Sequence, residues 1–186
     1  MTDFYQFLDK VELIYYDNDF NNQNHDKIHD DLIENEIASD LCRGVIGKEY
    51  IEDVFEEQDI MGYVVIIKGE YAGFILFKKK YDFLYLSLVA TTSDKEIKKG
   101  IPLGQLLIFL MEQVAIKSGI ETIVADAVIE ALDFYKKNGW NIVYENEDKM
   151  YFIQKSLSQD DEDIVEVTVI DEETDYDSEG DFIMKY

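Results

Sequence analysis

The sequence predicts a mixed α/β domain, a mostly antiparallel sheet flanked by helices, spanning residues 1–157 and followed by an acidic extension at 158–186. Three observations carry this. Three β-branched or aromatic runs follow one another between positions 63 and 92, separated by short polar turns. Segments of helical spacing lie before and after them. Hydrophobic residues make up 47% of the 186, enough for a core and too many for a disordered chain.

In chain order, Val11 to Tyr16 reads as a strand. Asp26 to Leu41 carries Ile28, Leu32, Ile33, Ile37 and Leu41 at near-helical intervals, so one helix is expected there. Lys48 to Glu57 repeats the pattern with Tyr50, Ile51, Val54 and Phe55. Tyr63 to Lys68, Tyr71 to Lys79 and Phe83 to Thr92 then read as consecutive antiparallel strands. A polar loop leads to a strongly apolar helix, Leu103 to Ser118, ending near Gly119. Thr122 to Val128 is a short buried strand, and Glu130 to Asn138 a helix stopped by Gly139. Asn141 to Glu145 and Met150 to Lys155 close the domain as a hairpin. Beyond it, Ile164 to Ile170 suggests a further strand, docked on the domain or paired across a homodimer.

Charge narrows the function. Lys and Arg number 17 against 41 Asp and Glu, a net charge of −24. Such a surface repels phosphate backbones, which argues against nucleic acid, and attracts amines and basic peptides. The apolar stretch from Ile101 to Ile116 is too short and too interrupted to span a membrane. The first ten residues lack a basic region and a cleavage site, so no secretory signal is expected. The single cysteine, Cys42, cannot form an internal disulfide, which fits a reducing, cytoplasmic setting.

The chemistry is expected where the third central strand meets the long helix. The sequence there is Lys98-Lys99-Gly100-Ile101-Pro102-Leu103-Gly104-Gln105. Glycines leading into a helix N-terminus offer free N–H donors and a positive dipole end, which suits a pyrophosphate. Lys95, Lys98 and Lys99 gather positive charge in an otherwise acidic chain. A Gly/Pro turn with a solvated lysine face is the plainer alternative. Neither a Walker loop nor a dinucleotide fingerprint is present, for no Gly-Lys-Ser/Thr follows and Pro102 stands where a glycine is needed. His25 and His29 stand four apart as in zinc proteases, but Asp26 replaces the required glutamate and no third ligand is indicated. They read as surface histidines, with no metal. Lys78, Lys79 and Lys80 read as a solvated strand end, with contact to a nucleotide phosphate as the alternative.

Two stretches carry a resemblance. Ala131-Leu132-Asp133-Phe134-Tyr135-Lys136-Lys137-Asn138-Gly139-Trp140 resembles the A-x-x-F-Y-x-K-x-G-F segment of the GNAT superfamily of N-acetyltransferases, and Lys149 to Leu157 resembles that family's closing strand. Lys99 to Gly104 then falls on the family's acyl-CoA signature, between a central strand and the long helix. The chain departs from the pattern at Lys99, usually Arg or Gln, at Pro102, usually Gly, and at Val128, often Asn. Pro102 also removes one N–H.

The resemblance implies an acetyl-CoA-dependent N-acetyltransferase in which an amine attacks the thioester directly. It implies a cofactor-binding set of Leu88, Val89 and Ala90, of Lys99, Gly100, Ile101, Pro102, Leu103, Gly104 and Gln105, and of Tyr135. Tyr135 would donate a proton to the leaving thiolate. The base is less specified, because the strand Phe83 to Val89 holds no carboxylate; Asp126, Glu130 or a water chain is open. The acidic balance favours a polyamine, a lysine side chain or a basic protein as acceptor. The competing reading is an inactive scaffold of the same fold whose acidic surface and tail bind basic partners.

Overall fold

A computed structural model describes residues 3–18 and 23–157, together with Val167–Thr168 and Ile183–Met184. Its strands are β1 (Glu12–Asp17), β2 (Ile60–Ile67), β3 (Glu70–Lys79), β4 (Leu84–Thr91), β5 (Thr122–Ala127), β6 (Asn141–Glu145) and β7 (Tyr151–Ser156). Its α-helices are α1 (Tyr5–Leu8), α2 (Gln23–His29), α3 (Ile37–Cys42), α4 (Lys48–Glu56), α5 (Lys95–Lys98), α6 (Leu103–Lys117) and α7 (Leu132–Lys137). The seven strands form one sheet in the order β1-β2-β3-β4-β5-β7-β6. Every neighbouring pair is antiparallel except β4–β5, which is parallel. Val167–Thr168 pairs separately with Ile183–Met184; the rest of the expected strand at 164–170 lies outside the described residues.

Each face of the sheet buries its own core. On one face α6 is buried along Leu103, Leu106, Leu107, Leu110 and Met111, against Ile75 and Phe77 of β3 and Leu84 and Leu86 of β4. A helix this apolar needs cover on several sides, and Phe4 of the N-terminal segment stacks on Phe109 at 5.1 Å. On the other face α2, α3 and α4 cover Phe74, Leu76, Leu88 and Ala90. Strand alternation explains most of this split. At Ser87 alternation fails. Leu76 pairs with Leu88 and Phe77 with Leu86, so β4 carries one extra residue there. That bulge turns Leu88 and Ala90 to the face opposite Leu84 and Leu86.

Three expectations need correction. The helix expected over 26–41 is broken: α2 gives way to a π-turn at Asp30–Glu34, and Glu36 at φ 60° starts α3 in a new direction. The polar loop before α6 contains α5, capped by Asp94, whose carboxylate accepts from Glu96 N at 2.8 Å. His25 is not a surface residue. It is buried, stacked on Tyr16, with Nε2 3.3 Å from the tyrosine hydroxyl. Among the described residues, no group of three or more His, Cys, Asp or Glu could hold a metal ion. No helix among them is long and apolar enough to cross a membrane.

Candidate active site

The site arises where the sheet parts. β4 and β5 pair only at Leu84↔Ile123, Tyr85↔Val124 and Leu86↔Ala125. From there β4 stays with β3 as far as Thr91, while β5 stays with β7 through Ala127. The bulge at Ser87 falls at the parting point, where added twist turns β4 away from its neighbour. One edge of β4 is thereby released from sheet pairing. The opening is a cleft of about 590 Å³.

Leu88, Val89 and Ala90 line this cleft, as do Gly104, Asp126, Glu130 and Tyr135. Of the expected coenzyme-binding set, Lys99, Gly100, Ile101, Pro102, Leu103 and Gln105 do not line it. Lys99 at φ 45° and Gly100 at φ 79° form a left-handed turn, for which Gly100 is suited. Ile101 and Leu103 are buried in the core. Pro102 precedes the first turn of α6, and its carbonyl accepts from Leu106 N at 2.9 Å. The Leu103 N–H is bonded to Ile101 O at 2.9 Å. The next two N–H groups, on Gly104 and Gln105, stand at the positive end of the 15-residue helix. Gly104 has a packing reason as well: a Cβ there would sit 3.2 Å from the Phe134 ring.

Positive charge collects nearby. Arg43, at the C-cap of α3, lines the cleft. Burial, and then the Arg43 guanidinium, holds the Lys98 ammonium below its ordinary range. Lys78 and Lys80 are not free cations; they pair with Glu57 at 2.5 Å and Asp59 at 2.7 Å.

The two sides of the cleft differ in chemistry. Tyr135 belongs to the α6 core, 7% exposed, its ring edge-on to Phe134 and Trp140 at 5.3 and 5.2 Å. No hydrogen bond holds its hydroxyl among the described residues, and burial pushes its ionisation well above the ordinary tyrosine range. It is a phenol that keeps its proton. Ser87 Oγ, at the parting point, is buried and unpartnered. On the other face stands Asp126, whose neighbours Ala125 and Ala127 point into the α6 core. Its Oδ2 accepts from the Tyr85 hydroxyl at 2.8 Å. Tyr85 is kept protonated first by burial and then by this bond. Tyr50 of α4 lines the same side, its ionisation raised by burial and by Glu57 and Asp126. Glu130 is exposed at the rim, in a 3₁₀ turn over Ile129–Ala131 that replaces the first turn of the expected helix.

Sequence reading alone missed Tyr50, Tyr85, Ser87 and Arg43. Parity along β4 sets Tyr85 opposite Leu84 and Leu86, but its partner Asp126 lies 41 residues away. Only the parallel register joins them.

A mostly antiparallel sheet whose one parallel pair splays open beside a helix N-terminus is the fold of the GNAT acetyltransferases, and this chain has it. It is similar to the catalytic domain of Tetrahymena GCN5 histone acetyltransferase in complex with coenzyme A, at TM-score 0.62 and 17% identity, over 82% of this chain and 96% of that one. It is also similar to PaiA N-acetyltransferase from Thermoplasma acidophilum in complex with coenzyme A, at TM-score 0.57 and 18% identity, over 78% and 98%. The aminoglycoside 6′-N-acetyltransferase from Enterococcus faecium is similar at TM-score 0.52 and 18% identity, over 77% and 96%. No family model and no curated protein matches the chain in sequence.

Proposed function

We propose that the protein is an acetyl-CoA-dependent N-acetyltransferase that acetylates a primary amine on a cationic acceptor, a polyamine or a lysine side chain. One observation carries the reading. A single cleft runs through the parting of β4 and β5, with a protonated, unpartnered tyrosine on one face and a tyrosine-held carboxylate on the other. Similar structures hold coenzyme A, and the features here fit it. The released edge of β4 at Leu88–Ala90 would take the pantetheine amides. The N–H groups of Gly104 and Gln105, with Lys98, Lys99 and Arg43, would face the pyrophosphate.

Each residue then has a task. Asp126, with Glu130 as the outer carboxylate, takes a proton from the incoming ammonium and frees its lone pair. The nitrogen forms a C–N bond with the acetyl carbon as the C–S bond breaks, and that bond's electron pair leaves on sulfur. Tyr135 protonates the sulfur. The nitrogen loses a second proton as the amide forms. One of the two protons restores Tyr135 and the other reaches solvent, so each turnover releases one proton. Calorimetric titration with acetyl-CoA tests the reading, with micromolar binding expected. No binding up to millimolar concentration would overturn it.

A further inference from the structure

We propose that Tyr85 is the positioning residue of an ammonium subsite on the α4 side of the cleft, where it holds Asp126 so that one carboxylate oxygen stays turned to a primary alkylammonium. The inference rests on the acetyltransferase reading for its chemistry but on its own geometry for its place. The Tyr85 hydroxyl donates to Oδ2 of Asp126 at 2.8 Å, and Oδ1 has no partner among the described residues. A carboxylate fixed by a neutral donor keeps its full charge for an incoming cation.

The cation that could have neutralised it is committed elsewhere. Lys78 stands opposite Tyr85 in the β3–β4 ladder, with its Nζ 5.5 Å from the Tyr85 ring. That same Nζ pairs with Glu57 at 2.5 Å. Lys78 thus packs on the tyrosine ring, and its pairing with Glu57 leaves Asp126 without a counter-ion among the described residues. Tyr50 of α4 lines the cleft on this side and is 46% exposed, so its ring is accessible at the mouth. A phenol ring beside a carboxylate favours a cation over a neutral amine of the same size, through its ring face as well as charge. Tyr135, buried and with an unpartnered hydroxyl, lines the same cleft from the opposite face. An ammonium on Asp126 therefore shares the cleft with the proton donor.

The test compares Tyr85→Phe and Asp126→Asn with the unaltered full chain. The probes are 1,4-diaminobutane, cationic at pH 7.5, and hydroxylamine, neutral there. Acetyl-CoA affinity is measured first by calorimetry and reports on the acetyltransferase reading alone. Tyr85→Phe, which keeps the ring, should leave that affinity unchanged. It should raise KM for the diamine about five- to tenfold, by more than kcat falls, and cut the diamine-to-hydroxylamine preference by a similar factor. Asp126→Asn should weaken equilibrium binding of the diamine by about tenfold or more. Diamine binding is measured with and without coenzyme A, so the subsite stays testable even if acetyl-CoA does not bind. Unchanged diamine affinity in Asp126→Asn would overturn the inference, as would equal loss of both amines in Tyr85→Phe.

Discussion

Tyr135 meets two demands at once. Its ring fills the space between Phe134 and Trp140, and its hydroxyl is left in the cleft wall with its proton secured by burial. A phenylalanine keeps the packing and removes the donor. Tyr135→Phe should therefore lower turnover about 10²–10⁴-fold with coenzyme A affinity and melting temperature unchanged, read by steady-state kinetics and calorimetry. Cys42 shows burial acting without chemistry. Its thiol lines the same cleft, but burial pushes it up to about 11, so little thiolate exists at neutral pH. Thiol reagents at pH 8 should label it far more slowly in the native protein than after denaturation.

At the scale of elements, the sheet depends on close approaches that leave no room for side chains. A Cβ on Gly62 would stand 1.8 Å from the Ile75 carbonyl oxygen, a backbone atom that cannot step aside. Gly62→Ala should cost about 3 kcal/mol or more by chemical denaturation, since β2 and β3 would have to separate. Gly104→Ala should cost less, because the Phe134 ring 3.2 Å away can yield. The strands were legible in the sequence because β-branched and aromatic runs with period 2 need no tertiary information. The break at Glu36 was not: its left-handed φ of 60° falls on a residue with no glycine or proline to announce it. The helix α5 had a readable signal in Asp94, a good N-cap, but four residues give no period to detect. Within the candidate site, Tyr135 and Gly104 stood out because contiguous motifs carried them. Tyr85 did not. Its place beside Asp126 depends on a parallel register, which leaves no local trace.

For the whole molecule, buried phenols set an alkaline limit. Tyr16, Tyr71, Tyr85 and Tyr135 all have ionisation raised above the ordinary value, in each case chiefly by burial. Their folded-state values exceed the unfolded ones, so their contribution is complete below about pH 10 and is lost as pH rises beyond it. Melting temperature should fall steeply above that pH, and Tyr85→Phe should lessen the fall. The parting of β4 from β5 also has a consequence for how the molecule comes undone. Three residue pairs, helped by the helices, join a four-stranded half, β1–β4, to a three-stranded half, β5–β7, whose outer strand β6 is exposed along its whole length. Cooperative units divide where cross-links are fewest. Under mild denaturant, amide hydrogens of β5, β6 and β7 should exchange as one early group while those of β2 and β3 remain protected. The opening proposed to admit a ligand is thus also the line along which the protein should first tear.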